Sequence, residues 1–271
     1  MMLPLYRGDP LIVDGKLGFL SIAARSEFPR KAPLVLLGLK DGRAYYAIDA
    51  GSAERPELAP FADIGAYLPL RETAGVFARE GDNADLAIVG QARWLVDWHL
   101  RHEFCAKCGG PSELAEGGAK RICLDCEAEH FPRSDPVAIV LAIHEDACLL
   151  GRSPHFPPGM YSALAGFVEA AETPEECAIR ELREEAGVTV ADVAYQFSQP
   201  WPFPSSLMMG FFARAEDRNL TLDETEISEA IWATKKEVRA LVDGHTRDDL
   251  IIPPRFTIAR QLIDRWATTD D

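Results

Sequence analysis

The chain lacks any apolar run of the roughly 18 residues that a membrane-crossing helix needs. Its opening segment, Met1 to Leu20, carries Arg7, Asp9, Asp14 and Lys16 where a signal peptide would be apolar. The terminal Thr268-Thr269-Asp270-Asp271 matches no targeting tail. These absences make a cytoplasmic protein with no membrane partner the expectation. Positive charge is also scarce: 28 Lys and Arg stand against 43 Asp and Glu, for a net charge of −15. Loose binding to polynucleotides rests on basic side chains neutralising phosphates, so a DNA partner is not expected. A small phosphate ligand is still admissible, because a divalent cation held by carboxylates can receive it on an acidic surface. Internal repeats and low-complexity linkers are missing as well.

What is present is an ordinary globular composition, 47% apolar and 26% charged over 271 residues, enough for more than one core. Three textures follow one another. Residues 1–102 read mostly as short strands: Leu34 to Leu39 and Ala44 to Ile48 flank Asp41-Gly42, a strong hairpin signal. Ala84 to Leu100 then reads as a helix with Ile88, Ala92, Leu95 and His99 on one stripe. No catalytic constellation stands out in this stretch, and a scaffold or dimerisation domain is expected. Residues 103–130 hold four of the six cysteines and too little apolar content for a core. Residues 131–271 alternate strand and helix: Val137 to Ile143, a turn at Glu145-Asp146, Ala147 to Leu150, Tyr161 to Val168, Ala194 to Phe197, Leu207 to Ala215 and Ile227 to Trp232. Pro253-Pro254 is expected to open a last helix with Ile258, Leu262 and Trp266 on one stripe. Strands mixed with a few helices indicate a layered α/β domain.

Cys105-x2-Cys108 and Cys123-x2-Cys126 have the spacing of a structural zinc site with four thiolate ligands. Two disulfides would be the alternative, and a reducing compartment disfavours them. Gly109-Gly110 is expected to supply the positive φ angles of a zinc knuckle. With all four ligand positions filled, one Zn²⁺ would be structural, leaving no site for water or substrate. Cys148 and Cys177 read as core thiols. His99, His102 and His130 flank the ribbon and read as surface or packing residues.

The segment Gly166 to Val188 contains a helix with clear local boundaries. Thr173 suits the N-cap, Pro174 the first position, Glu176 a capping box, and Gly187 a left-handed stop. Glu181, Glu184 and Glu185 stand at i, i+3 and i+4, on one face, while Ile179, Leu182 and Ala186 are expected to pack on the sheet. Like charges at that spacing cost about 0.2–0.5 kcal/mol per pair. A Mg²⁺ or Mn²⁺ between the oxygens would remove that repulsion.

The pattern Gly166-x5-Glu172-x7-Arg180-Glu181-Leu182-x-Glu184-Glu185-x-Gly187-Val188 resembles the signature of the Nudix hydrolases at every defined position. The resemblance implies a loop–helix–loop that binds two or three divalent cations and hydrolyses nucleoside diphosphates linked to another group. It makes Glu181, Glu184 and Glu185 metal ligands and catalytic residues, with Glu185 the principal ligand and candidate base. It gives Gly166, Glu172, Arg180 and Gly187 structural parts, Arg180 bracing the loop through Glu172. The chemistry is coherent, since metals neutralise a diphosphate's protective charge and acidify a bound water.

Beyond the helix, Gln199-Pro200-Trp201-Pro202-Phe203-Pro204-Ser205-Ser206 reads as a stiff extended segment presenting two aromatic faces. This stretch is similar to that of the NADH pyrophosphatase subfamily, which also carries a small N-terminal domain and a four-cysteine ribbon. The similarity implies an α+β fold: a mixed β-rich N-terminal domain (1–102), a zinc ribbon (103–130) and a Nudix α/β/α sandwich (131–271). It further implies cleavage of NADH or NAD to nicotinamide mononucleotide and AMP, action on NAD-capped RNA ends, and a homodimer. Carried over residue by residue, it places Gln199 to Ser206, Phe167, Phe131 and Ala259 at the substrate. It adds Glu226 and the carbonyl of Ala165 to the metal site. Phe131 stands where the subfamily has tyrosine, so any hydroxyl contact there is lost. Two other functions compete: a Nudix hydrolase preferring ADP-ribose or dinucleoside polyphosphates, and a catalytically silent dinucleotide sensor. Loss of box glutamates would mark the sensor, and none is missing.

Overall fold

The computed structural model describes residues 1–80 and 83–269. Asp270 and Asp271 of the C-terminal tail therefore lie outside the described residues. The chain divides into two compact units. The first comprises residues 1–134 with Pro202–Ser205, the second Asp135–Trp201 with the chain from Ser206 on. Among the described residues no helix is long and apolar enough to cross a membrane.

The first unit begins with strands β1 (Met2–Tyr6), β2 (Asp9–Val13), β3 (Lys16–Leu17), β4 (Leu34–Lys40), β5 (Arg43–Asp49) and β6 (Ala66–Tyr67). They form one sheet in the order β3-β2-β1-β5-β4, with β6 on β2. The β4–β5 hairpin turns at Asp41-Gly42, both at positive φ (52° and 71°), as its sequence requires. Helices α1 (Leu70–Glu80) and α2 (Asn83–Arg101) follow. The fully buried stripe of α2 is Val89, Ala92, Val96 and His99, with Ile88 and Leu95 only partly buried beside it. Val89 and Val96 thus take the places expected for Ile88 and Leu95, while Ala92 and His99 are common to both stripes, and His99 meets the Gly118 carbonyl at 2.9 Å and Arg121. Helix α1 is additional to the helix expected in this half.

Strands β7 (Ser112–Ala115), β8 (Lys120–Cys123) and β9 (Glu129–His130) form the small antiparallel ribbon. Of the Gly109-Gly110 pair only Gly109 has positive φ (78°). Gly110 is needed for a different reason: a Cβ there would collide with the Asp125 carboxylate.

The second unit is a sheet with helices on both faces. Its strands are β10 (Asp135–His144), β11 (Ala147–Arg152), β12 (Leu164–Phe167), β13 (Val190–Trp201), β14 (Ser206–Ala215) and β15 (Glu229–Thr234). The order is β13-β14-β10-β11-β15, with β12 pairing β10 and β10 running parallel to β14. Alternation along β10 explains the two layers. Ala138, Val140 and Ala142 face the core of helix α3 (Pro174–Ala186), while Ile139 and Leu141 face the opposite core. That opposite core holds helices α4 (Lys235–Val242) and α5 (Ile258–Thr268). Ile258, Leu262 and Trp266 form the buried stripe of α5, and burying one such large apolar side chain stabilises by about 1.5–3 kcal/mol. Helix α5 starts after Pro253-Pro254, with Thr257 as its cap, because Thr257 accepts from the Arg260 N–H. Helix α4 carries its own capping box, Thr234 with Glu237.

Gln199, Pro200 and Trp201 are the last residues of β13, paired with Met208, Leu207 and Ser206 of β14. The stiff extended segment expected here is thus, from Gln199 to Trp201, the end of a hairpin strand. Pro200 is compatible because β13 is an edge strand. Two register shifts, between Ala191 and Ala194 and between Tyr195 and Phe197, interrupt the same strand.

Candidate active site

Helix α3 is built as its sequence indicates. Thr173 and Glu176 exchange both capping bonds, Pro174 opens the helix, and Gly187 closes it at φ 70°. Its buried face differs from expectation. Cys177, Ala178, Glu181, Leu182, Glu185 and Ala186 are buried, whereas Ile179 is exposed. Two glutamates thus occupy the inner side and Glu184 the outer, its side chain 60% exposed.

Glu181 and Glu185 are joined by Glu226 from the loop before β15. One carboxylate oxygen of each lies within 4.8 Å of the others. The loop is stitched to the end of α3: Thr221 N–H donates to the Ala186 carbonyl and Asp223 N–H to the Glu185 carbonyl, at 2.9 and 3.0 Å. Those bonds bring Glu226 beside Glu185, a juxtaposition no local spacing encodes. Gly166 on β12 completes the cradle, since a Cβ there would collide with the Glu181 carboxylate.

Arg180 organises the outer side. Its Nε and Nη2 grip both oxygens of Glu172 at 2.7 and 2.9 Å, and Nη1 reaches Glu181 at 2.7 Å and Glu184 at 3.0 Å. Nη2 also donates to the Phe167 carbonyl at 3.0 Å, tying the loop to the helix. This fork is the geometry for which arginine is suited and lysine is not. The guanidinium holds the Glu172 carboxyl down to about 2. Burial pushes Glu181 up despite Arg180. Glu185 has no such cation: burial first, then the charges of Glu181, Glu226, Asp223 and Glu184, push it up to about 8.

Glu185 Oε2 is buried with no hydrogen-bond partner. A buried oxygen left unpaired among other carboxylates costs free energy that a cation between them would remove. The donor set, oxygens only, suits a hard divalent ion. The residues therefore fit a divalent cation. Glu185 and Glu226 open onto a cleft of about 370 Å³, also lined by Ala165, Leu164, His155 and Phe156. His155 sits in a turn, Ser153 to Phe156, closed by a 3.0 Å bond from the Phe156 N–H to the Ser153 carbonyl, with Pro154 at the position that favours such turns. Sequence reasoning passed over His155. Its only signal was the Ser-Pro that starts the turn.

The NUDIX domain model matches residues 133–253, the NADH pyrophosphatase zinc ribbon domain residues 100–131, and the NADH pyrophosphatase-like rudimentary NUDIX domain residues 1–98. The NAD-capped RNA hydrolase NudC of Mycobacterium bovis is 36% identical, over 97% of this chain and 84% of that protein. The chain belongs to the Nudix hydrolase family. The human NAD-capped RNA hydrolase NUDT12 is 43% identical over 67% of this chain and 42% of its own length, so the chain spans less than half of that relative. A solved NUDIX hydrolase from Nitrosomonas europaea aligns over 61% of this chain and 90% of that chain at 24% identity and TM-score 0.47.

The Nudix-like first unit carries the ribbon's thiols. All four sulfurs lie within 4.8 Å of one another, with Cys105–Cys126 at 3.8 Å and Cys108–Cys123 at 3.5 Å. Backbone N–H groups of Lys107 and Asp125 point at Cys105 and Cys123 at 3.3 and 3.4 Å, as they do around thiolates. This geometry fits a tetrahedral zinc. Cys148 and Cys177 are buried core thiols, as expected.

The remaining expected site residues are distributed between the units. Phe131 and Pro202, Phe203, Pro204 and Ser205 belong to the first, and Phe167, Gln199, Pro200, Trp201, Ser206 and Ala259 to the second. Phe131 and Phe167 are both exposed aromatic faces. Phe203 lies between the Arg71 and Arg93 guanidiniums, 4.6 and 5.0 Å from its ring centre. Gln199 uses both ends of its amide within the protein: Nε2 donates to the Phe256 carbonyl and Oε1 accepts from the Ile258 N–H, each at 2.7 Å. Trp201 stacks on Phe256 at 6.3 Å. Ala259 is buried in the α5 core.

Proposed function

We propose that this Nudix protein hydrolyses the diphosphate of NADH or NAD to nicotinamide mononucleotide and AMP, and cleaves the same linkage in NAD-capped RNA. The observation that carries the reading is the buried, unpartnered Glu185 carboxylate converging with Glu181 and Glu226 at the mouth of a cleft. The names of the relatives support the choice of substrate. Glu181, Glu185 and Glu226, with Glu184 and the Ala165 carbonyl, would hold two or three Mg²⁺ or Mn²⁺ ions. Such ions supply charge neutralisation of the diphosphate and a more acidic water. The chain's own contribution is to place these oxygens and to hold them by Arg180, Gly166 and the stitched loop before β15. Glu185 is the residue we assign to accept the proton of the attacking water. Water's oxygen joins one phosphorus, the bridging P–O bond breaks, and the two mononucleotides separate.

In this reading the ribbon carries one structural Zn²⁺. Phe131, Phe167, Gln199 to Ser206 and Ala259 are the residues that the family resemblance assigns to the nucleotides. A homodimer, on family grounds, and a cytoplasmic setting complete it. The test is direct: purified protein with NADH and Mg²⁺ or Mn²⁺ should yield nicotinamide mononucleotide and AMP by mass. NADH left intact with both metals overturns the reading. A panel with ADP-ribose and diadenosine compounds, ranked by kcat/KM, tests the preference.

A further inference from the structure

The loop that carries Glu226 is anchored at both ends and exposed between them. Leu222 and Ile227 pack against the core of α3. Beyond them, the Ser228 N–H and hydroxyl both donate to the Arg152 carbonyl at 2.9 Å, which fixes the exit onto β15. Residues 223–226 are exposed. Apolar packing thus holds the ends and leaves the direction of Glu226 to hydrogen bonds. That direction matters, because Glu226 converges with Glu181 and with Glu185, whose Oε2 is buried without a hydrogen-bond partner.

Asp223 supplies the bonds. Its Oδ1 accepts from the Thr225 N–H at 2.9 Å and from the Thr225 hydroxyl at 2.6 Å. Its carbonyl accepts from the N–H groups of Glu226 and Ile227, at 3.1 and 2.9 Å. Its own N–H donates to the Glu185 carbonyl at 3.0 Å. A carboxylate that receives the N–H two residues on makes a turn locally, standing in for a backbone acceptor. Asp223 is therefore bonded at once to the backbone of Glu185 and to that of Glu226. Its own carboxylate is not one of the three that converge.

We infer, resting on the proposed divalent-cation site, that Asp223 is a positioning residue whose side chain sets the turn that aims Glu226 at Glu181 and Glu185. The competing role is electrostatic, one more negative charge drawing a cation toward the cleft. Asparagine separates the two, since it keeps the Oδ1 acceptor and gives up the charge. Residues that orient metal ligands change metal affinity by about 10–100-fold.

The experiment uses the full zinc-loaded chain as wild type, Asp223→Ala and Asp223→Asn, with folding checked by circular dichroism. Mn²⁺ binding is read from the electron paramagnetic resonance signal of the free ion. Asp223→Ala should weaken it about 10–100-fold. Asp223→Asn should bind as wild type does. With NADH, the Mn²⁺ concentration giving half-maximal rate should rise in Asp223→Ala by the same factor, while KM for NADH at saturating Mn²⁺ stays put. Before Mn²⁺ is added, hydrogen–deuterium exchange over residues 223–227 should be faster in Asp223→Ala and restored in Asp223→Asn.

Wild-type Mn²⁺ affinity in Asp223→Ala overturns the positioning role. Equal weakening in Asp223→Asn makes the effect one of charge and overturns it too. Unchanged exchange in Asp223→Ala overturns the turn itself. A wild type that binds no Mn²⁺ overturns the divalent-cation site instead, and the exchange rates then still decide whether Asp223 holds the loop. A wild type that binds Mn²⁺ and leaves NADH intact overturns the proposed substrate alone.

Discussion

The carboxylate of Glu181 lies directly over Gly166, in the space a side chain at that position would fill. Strand β12 and helix α3 approach closely here, and the glycine is needed for room, since its φ is not in the left-handed region. Gly166→Ala is expected to displace Glu181 and lower kcat/KM by about a hundredfold or more, the scale of losing a well-placed catalytic group. The α3 capping box is remote from the change, so far-ultraviolet circular dichroism should stay as in wild type. An alanine variant with wild-type turnover would show that Glu181 has another place to go.

Glu185 links stability to pH. Its carboxyl is pushed up to about 8, from 4.5 as the ordinary value. Between those pH values the unfolded chain has released a proton that the metal-free folded protein still holds. Stability from this group is therefore full below about pH 4.5 and falls as pH rises toward 8, by roughly 3–5 kcal/mol in all. In the presence of a chelator the wild type should lose Tm from pH 5.5 to 8 by more than Glu185→Gln does. The same variant should lower kcat by about a hundredfold or more. Equal pH slopes in the two proteins would contradict the burial of this charge.

The Arg180–Glu172 pair has the opposite sign. Glu172 is held down to about 2. Its contribution is present above about pH 4.5 and is lost as pH falls through 2. Glu172→Gln should therefore be less stable than wild type at pH 7, with the gap narrowing steadily toward pH 2.5. Denaturant titrations at four or five pH values check this. A constant gap would place the effect in packing.

Removal of one ribbon thiol tests the metal centre. Cys126→Ser should abolish tight zinc binding, seen as loss of about one zinc per chain by elemental analysis. With little apolar content, residues 103–130 should then become a protease target, because metal binding of about 10–16 kcal/mol folds such segments. Resistance equal to wild type would show that the ribbon holds itself together.

Much of this was legible in the sequence wherever the signal was local. The caps of α3, the stop at Gly187, the Asp41-Gly42 hairpin and the cysteine spacing each depend on neighbours a few residues away, and each is found as read. Helix faces were harder to assign. Counting periods placed Glu181 and Glu185 with Glu184 on a polar face, whereas a metal-binding carboxylate can occupy a core position. Ile179, apolar and exposed, is the complementary misreading. Helix α4 did have a readable signal in Thr234 and Glu237, but its eight residues carry little periodicity. Gln199 and Glu226 depend on segments far along the chain. The first is fastened to Phe256 and to Ile258 at the start of α5 and the second to the end of α3, and neither fastening has a spacing rule.

The rim of the second unit's sheet has a consequence of its own. Strand β13 is twelve residues long and ends the sheet, so its outer backbone groups could template pairing with another molecule. Two bulges twist that border and Pro200 withholds an amide from it. The border that carries Trp201 is thereby made a poor seed for fibril growth.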